Sequence, residues 1–214
     1  MDVSVDTVGT EAGAARVTWR RARKARLVLA LSHGAGGGIE ARDLRALAGA
    51  LPGHGVTVAL VEQPWRVAGK KVAPAPKTLD TGWRGVWPAL AGPGLPVIAG
   101  GRSAGARVAC RTAAGLGACA VLALSFPLHP PGRPEKSRAA ELLGAGVPTL
   151  VVQGGNDPFG KPAEFPEGAH ELFEVPGGDH GFAVPKRAGI GQDQAMRLLT
   201  DAVTRWIVSL GSLG

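Results

Sequence analysis

Short apolar runs alternate with longer amphipathic stretches along this chain, and that alternation constrains the fold more than any other feature. Residues 27–31 read LVLAL, apolar at every position, which is typical of a strand covered by helices on both faces. Strands and helices that alternate in this way form right-handed crossovers and a mainly parallel sheet. The sequence therefore predicts an α/β fold.

The positions of these runs set the expected size of the sheet. Strands are predicted over residues 27–32, 56–61, 97–100, 120–125, 149–153 and 171–175. Helices are predicted over residues 39–51, 79–90, 104–116, 135–143 and 192–210. Alternating segments at 3–8 and 16–20 predict a hairpin at one edge. Because 214 residues leave little room for a second core, we expect one domain, residues 1–214, with a twisted sheet of six to eight strands.

Charge and hydropathy limit the expected partners. The protein has a net charge of +7, and its basic residues concentrate in two windows without acidic residues, at 16–26 and 66–77. The two windows hold one aromatic residue, Trp19, and no zinc motif accompanies them, so we expect no nucleic-acid binding. No apolar run approaches the roughly 18 residues of a membrane helix, and Asp2 and Asp6 stand where a signal peptide would carry basic residues. We therefore expect a cytoplasmic protein without a membrane partner.

A serine between glycines follows the strand predicted at 97–100. The pentapeptide GRSAG, residues 101–105, has the G-x-S-x-G spacing of a nucleophile elbow, in which a bend between strand and helix exposes the serine. The glycines keep side chains away from the neighbouring strand and helix. The spacing alone is weak evidence in a chain with 33 glycines, so a tight turn with an idle serine is the alternative for Ser103.

An acid and a histidine follow the last two predicted strands. Asp157 lies in GGNDP after strand 149–153, and His180 lies in GGDHGF after strand 171–175. The order serine, aspartate, histidine is that of hydrolases with a serine elbow. In such a triad the histidine accepts the serine proton and the aspartate orients the imidazole. Taken singly, Asp157 could close an Asx turn and His180 could be an ordinary loop residue.

A glycine-rich segment, HGAGGG, follows strand 27–32. Such a turn lets backbone N–H groups approach an oxyanion closely, so the N–H groups of Ala104 and of Ala35 or Gly36 are predicted to form an oxyanion hole. Residues 36–41 also fit the dinucleotide pattern G-x-G-x-x-A, with Glu62 at the end of the next strand. That alternative leaves the serine elbow unexplained.

Six segments together carry a family resemblance: LSHGAGGG, EQPWRVAGKK, GGRSAGAR, SFPLHPPGRPEK, QGGNDPF and GGDHGF. They resemble the small α/β hydrolases related to dienelactone hydrolase, and more narrowly a bacterial group similar to the testis-expressed and NSL-complex hydrolase-like proteins. The resemblance implies that Ser103 is the nucleophile, His180 the base and Asp157 the acid. Ala104 and Ala106 depart from the usual pattern, which affects packing beneath the elbow. Some eukaryotic relatives are subunits of complexes, so a catalytically idle scaffold for protein interaction is a second hypothesis.

The residues expected around the serine suggest a substrate. In this fold the loop after strand 56–61 opens on the active-site side, so Trp65 and Arg66 are predicted to contact substrate, with Arg102 and Arg107 adding positive charge. We expect an acyl substrate that carries a carboxylate or phosphate. The alternative is a solvated basic loop with Trp65 packed for stability.

The segment after strand 120–125 limits the size of that substrate. The proline-rich residues 126–131 and one short helix leave room for a minimal cap only, with His129 and Phe182 as predicted pocket walls. A shallow site favours small soluble esters, lactones or thioesters over long lipids. We expect the partner to be this small-molecule acyl substrate, hydrolysed through an acyl-enzyme on Ser103 without a metal or organic cofactor. The sequence makes no prediction of oligomeric state.

Overall fold

A computed structural model describes residues 2–168 and 170–211. Its strands are β1 Asp2–Thr10, β2 Gly13–Arg21, β3 Leu27–Ser32, β4 Val56–Glu62, β5 Val97–Arg102, β6 Ala120–Leu124, β7 Thr149–Gly154 and β8 His170–Val175. Its α-helices are α1 Arg42–Ala50, α2 Pro64–Val67, α3 Pro76–Ala91, α4 Ala104–Leu116, α5 Ala139–Leu143 and α6 Gln192–Leu210.

All eight strands join one sheet, in the order β1-β2-β4-β3-β5-β6-β7-β8. The strands from β3 to β8 are parallel to one another, whereas β1 and β2 form a hairpin whose β2 strand runs antiparallel to β4. The predicted α/β fold and edge hairpin are therefore confirmed. Because the parallel strands end at the same edge, the loops that follow β3, β5, β7 and β8 lie close together.

Two apolar clusters cover the two faces of the sheet. Val28 and Ala30 of β3 belong to the cluster that includes buried residues of α3 and α4. Leu29 and Leu31 belong to the other cluster, which includes buried residues of α1 and α6. Alternate side chains of a strand point to opposite faces, so the unbroken apolar run LVLAL supplies both clusters at once.

The helix predictions differ in accuracy. The helices predicted over 104–116 and 192–210 are observed with those bounds, whereas the one predicted over 39–51 begins only at Arg42. The helix predicted over 135–143 is divided into a 3-10 turn, Pro134–Lys136, and α5. Ser137 is extended between them, and its hydroxyl accepts the N–H of Ala139, the first residue of α5, at 3.2 Å. The short α2 was not predicted.

Candidate active site

The bend at Ser103 has the strained geometry expected of a nucleophile elbow. Ser103 lies between β5 and α4 with φ 54° and ψ −110°, in a region where a non-glycine residue costs about 1–3 kcal/mol. A Cβ at Gly101 or at Gly105 would lie 2.7 Å from the backbone oxygen of Ser32. Only glycine therefore fits at both positions, because β3 and α4 approach the bend too closely for a side chain.

The three side chains predicted to cooperate are brought together in one line. His180 Nε2 lies 2.9 Å from Ser103 Oγ, and His180 Nδ1 lies 2.8 Å from Asp157 Oδ2. The Asp157 side chain is fully buried, while that of His180 is 20% exposed. With the Ser103 hydroxyl donating to Nε2 and the Nδ1–H donating to Asp157, the imidazole is set to accept the serine proton.

Two residues that sequence reasoning did not single out hold the acid and the histidine. Gln153 Nε2 donates to Asp157 Oδ2 at 2.9 Å, and the N–H of Phe159 donates to Asp157 Oδ1 at 2.8 Å. The Phe159 ring also packs on the His180 imidazole, with ring centroids 4.1 Å apart and planes tilted by 30°. A buried polar residue ending an apolar strand was the available signal for Gln153.

The glycine-rich loop after β3 lies directly beside the serine. A Cβ at Gly34 would lie 3.2 Å from Ser103 Cβ. Ala35 and Gly36 form the exposed turn that follows, and Ala104 is the first residue of α4, where backbone N–H groups lack partners within the helix. These placements are compatible with the predicted oxyanion hole, whose role stays a prediction.

His33 fixes the start of that loop. Its Nδ1–H donates to the Gly34 carbonyl at 2.9 Å, and its Nε2 accepts the N–H of Gln63 at 3.1 Å. Burial lowers the pKa of His33, so the ring is neutral and bonded on both sides. The Trp65 ring meets it edge-on, with centroids 5.5 Å apart.

The predicted pocket walls are mostly buried. Phe182 is fully buried in the cluster with α1 and α6, because its backbone turns inward with φ 55°; its assignment as a pocket wall is corrected. Trp65 and His129 are each only 6% exposed, and His129 Nε2 is engaged by Glu164 at 2.8 Å. Their contacts with substrate stay a prediction. Arg66 is more open, with 38% of its side chain exposed.

Most of the positive charge expected at the elbow is neutralised by nearby acids. Arg102 Nε lies 3.4 Å from Asp43 Oδ2, and Arg107 Nη2 lies 2.6 Å from Glu141 Oε1. Arg66 Nη2 is 3.8 Å from Glu40 Oε1. The positive charge that these arginines bring to the serine is therefore weaker than the sequence suggested.

The glycines at 36–38 do not have the setting of a dinucleotide site. In that motif the helix opens at the glycines and its N-terminus meets the pyrophosphate, but here α1 begins later, at Arg42. Glu62, which would bind the ribose, is paired with Arg16 at 3.2 Å. Within residues 2–168 and 170–211, no group of three or more His, Cys, Asp or Glu side chains is placed to hold a metal ion. In the same residues, no helix is long and apolar enough to cross a bilayer.

Comparison with known proteins agrees with this fold. A family model described as an alpha/beta hydrolase domain matches residues 23–208. An α/β serine hydrolase without lid from Xanthomonas campestris is similar at TM-score 0.72 and 20% identity, over 96% of this chain and 95% of that one. Dienelactone hydrolase from Anabaena variabilis is similar at TM-score 0.74 and 18% identity, over 97% of both chains.

Est1E from Butyrivibrio proteoclasticus is similar at TM-score 0.73 and 15% identity, over 97% of this chain and 99% of that one. At such identities the likeness to solved structures carries the fold alone. No curated protein sequence matches the chain. The narrower likeness to testis-expressed and NSL-complex hydrolase-like proteins stays a prediction.

Proposed function

The chain belongs to the alpha/beta hydrolase domain family, and from this premise we propose that it is a cytoplasmic serine hydrolase that cleaves small soluble esters, lactones or thioesters. One observation carries the proposal. The hydroxyl of Ser103, the imidazole of His180 and the carboxylate of Asp157 lie in series at 2.9 Å and 2.8 Å. That alignment is the arrangement required to activate a serine for acyl transfer.

The first half of the reaction forms an acyl-enzyme. Ser103 Oγ attacks the acyl carbon while His180 Nε2 takes the hydroxyl proton, and Asp157 stabilises the imidazolium that results. The negative charge that develops on the carbonyl oxygen is bound by the N–H of Ala104 and by that of Ala35 or Gly36. His180 then gives its proton to the leaving group as the bond to the acyl carbon breaks.

The second half releases the acid. A water molecule loses a proton to His180 Nε2 and attacks the acyl carbon of the ester on Ser103. Collapse of the second tetrahedral intermediate returns the proton to Ser103 Oγ and frees the carboxylic acid. Both halves use the same proton relay, formed by Ser103, His180 and Asp157, and the same backbone N–H donors to the oxyanion. Hydrolysis therefore requires no further chemical group.

The surroundings of the serine favour a small substrate. The segment between β6 and α5 carries one 3-10 turn of three residues, Pro134–Lys136, in place of a helical lid, and Ser103 and His180 are both partly exposed. An open site of this kind offers little apolar surface to a long acyl chain. Because the arginines around the elbow are paired, we expect the site to discriminate little between a neutral and an anionic acyl group, which differs from the sequence expectation.

Labelling with a fluorophosphonate tests the proposal directly. The native protein should be labelled and should hydrolyse members of an ester, lactone and thioester panel, and Ser103→Ala should lose both properties. Ser209→Ala is the matched control, because that hydroxyl donates to the Trp206 carbonyl on α6 at 2.8 Å and should leave labelling unchanged. A folded native protein without labelling or turnover would overturn the proposal and favour the interaction scaffold.

The charge preference of the site needs a separate measurement. Turnover of a neutral ester and of its carboxylate analogue should be compared at low and high salt. Similar kcat/KM values with little salt dependence are expected, because the arginines are paired. A strong preference for the anionic analogue that salt removes would restore the original expectation.

A further inference from the structure

The residue before the nucleophile has a role that the relay does not explain. We propose that Arg102 is a positioning residue, which holds His180 in line with Ser103, and that the buried carboxylate of Asp43 holds Arg102; the inference rests on the proposed function. Arg102 is the last residue of β5, and its side chain lies on the same face of the sheet as that of Ile98, four residues earlier. Ile98 belongs to the apolar cluster with α1 and α6. The Arg102 side chain is only 16% exposed.

The guanidinium lies between two loops of the site. Arg102 Nη2 donates to the backbone carbonyl of His180 at 2.8 Å. A Cβ at Gly181 would lie 3.3 Å from Nη2, and a Cβ at Gly34 would lie 3.5 Å from Nη1. Because Arg102 is also joined to Ser103 by a peptide bond, a single residue connects the backbone of the nucleophile to the backbone of the base.

Asp43 attracts that guanidinium through its charge, without a hydrogen bond between the two side chains. Its side chain is fully buried in the first turn of α1, with Oδ2 3.4 Å from Arg102 Nε. Burial raises the pKa of Asp43, and the charge of Arg102 opposes that rise. A buried ionised carboxylate is costly unless a nearby cation or hydrogen bonds compensate it. The attraction to Asp43 at Nε therefore holds the edge of the guanidinium that also carries Nη2, the donor to the His180 carbonyl.

The histidine loop has internal bonds that maintain its shape. Asp179 Oδ1 accepts the N–H groups of Gly181 at 2.7 Å and Ala183 at 2.8 Å, and the buried Phe182 ring anchors the loop in the core. These contacts define the loop but do not tie it to β5. Loss of Arg102 should therefore displace the imidazole from Ser103 more than it unfolds the loop.

A double variant tests this role without leaving a buried charge unpaired. Arg102→Met with Asp43→Asn removes both charges, which is often close to neutral for stability. Arg111→Met with Asp80→Asn is the control, because it also removes two opposite charges, from a pair between α3 and α4 that has a 2.6 Å contact. Glu141, which Arg111 also contacts, keeps its contact with Arg107. Melting temperature, kcat, KM and the fluorophosphonate labelling rate should be measured for both double variants and the native protein.

Both double variants should still fold, and they should differ in activity. The Arg102/Asp43 variant should lose about 10- to 100-fold in kcat and in labelling rate with KM nearly unchanged, since a misplacement of about 1 Å can cost that much. The control should keep its native kcat. Native kcat in a folded Arg102/Asp43 variant would overturn the positioning role.

A spectroscopic readout separates this inference from the proposed function. The His180 Nδ1 proton, shared with Asp157, should give a downfield NMR signal in the native protein and in the control. In the Arg102/Asp43 variant the signal should broaden or shift, and an unchanged signal would contradict the inference. This result is informative even if the native protein hydrolyses none of the tested substrates, in which case the proposed function alone fails.

Discussion

The relay at the carboxyl edge of the sheet and the ion-pair cluster between α3, α4 and α5 use charged side chains in opposite ways. The relay is a series: Asp157 contacts His180, and His180 contacts the partly exposed hydroxyl of Ser103. The series therefore leads from the buried carboxylate of Asp157 to a hydroxyl that is partly exposed to solvent. A change in charge at one end of this series is therefore felt at the other.

The ion-pair cluster is closed on itself. Arg107 and Arg111 of α4 both bind Glu141 of α5, and Arg111 also binds Asp80 of α3, at distances from 2.6 to 3.0 Å. Burial alone would raise the pKa of Glu141, but the hydrogen bonds and charges of the two arginines outweigh burial and lower it. Each charge is met by an opposite one, so this cluster fastens three helices and leaves no group for chemistry.

Buried charge by itself therefore does not mark an active site in this protein. Arg107 was expected near the substrate on sequence grounds, yet the acid on α5 draws it into the closed cluster. The relay is distinguished by its ending, a neutral nucleophile on a strained bend. This difference predicts that changes to the relay reduce turnover, whereas changes to the cluster reduce stability.

Asp157→Asn should have the largest effect. The amide keeps the shape of the side chain but cannot stabilise the imidazolium or enforce the tautomer, so kcat should fall by about 10⁴-fold. Steady-state kinetics on the preferred ester would measure the loss of turnover, and a thermal melt would measure any change in stability. A loss of only a few fold would mean that the acid is not part of the relay.

Glu141→Gln should show the reverse pattern. The variant loses the charge that two arginines share, and the unfolding free energy should fall by about 2 kcal/mol while kcat stays near the native value. The pKa of Glu141 is lowered in the folded state. The stabilisation of the folded protein by ionised Glu141 is therefore present above the ordinary pKa of about 4.3 and is lost as pH falls through the pKa of the folded state. The stability difference between native and variant should therefore shrink in acid, as urea titrations at several pH values would reveal.

Phe159→Leu should have a smaller effect, confined to the relay. The variant keeps the backbone N–H that binds Asp157 and removes the aromatic ring packed on His180. Such contacts contribute about 0.5–1.5 kcal/mol, so kcat should fall about 2- to 10-fold. Phe173→Leu, at a partly buried position on β8, is the control and should leave kcat unchanged.

The sequence predicted the relay because its logic is local and topological. The serine elbow has a short signature, and the carboxyl ends of parallel strands must meet at one edge. The order of strands along the chain therefore predicted Asp157 and His180 at the same edge as Ser103. The bounds of β3 and α4 were likewise readable, since apolar runs and flanking glycines define them.

Side-chain direction and distant partners could not be read in this way. Phe182 follows His180 in sequence and was expected at the site, but its turn sends the ring into the core, and Phe159 from another loop packs on the imidazole instead. Arg102 was expected to offer free charge, but Asp43 on α1 faces it. Both outcomes depend on how loops from different strands pack, which no local pattern encodes.

The pair of His129 and Glu164 should give the smallest effect, and it extends the comparison to a contact between loops. His129 Nδ1 lies 2.9 Å from the Pro130 carbonyl and Nε2 lies 2.8 Å from Glu164 Oε2. Only the protonated imidazole carries an N–H on both ring nitrogens. The hydrogen bonds to Pro130 and Glu164 therefore favour the protonated form and raise the pKa of His129. The stabilisation of the folded protein by protonated His129 is full below the ordinary pKa of about 6.5 and is lost as pH rises through the pKa of the folded state.

The native melting temperature should therefore fall slightly from pH 6 to pH 9 relative to His129→Gln, which cannot titrate. His54→Gln, at an exposed position, should follow the native curve. The N–H of His129 also donates to the Phe159 carbonyl at 3.0 Å, so loosening this pair should lower kcat modestly over the same range. Parallel pH curves for native protein and His129→Gln would show that the pair neither fastens the loop nor supports the relay.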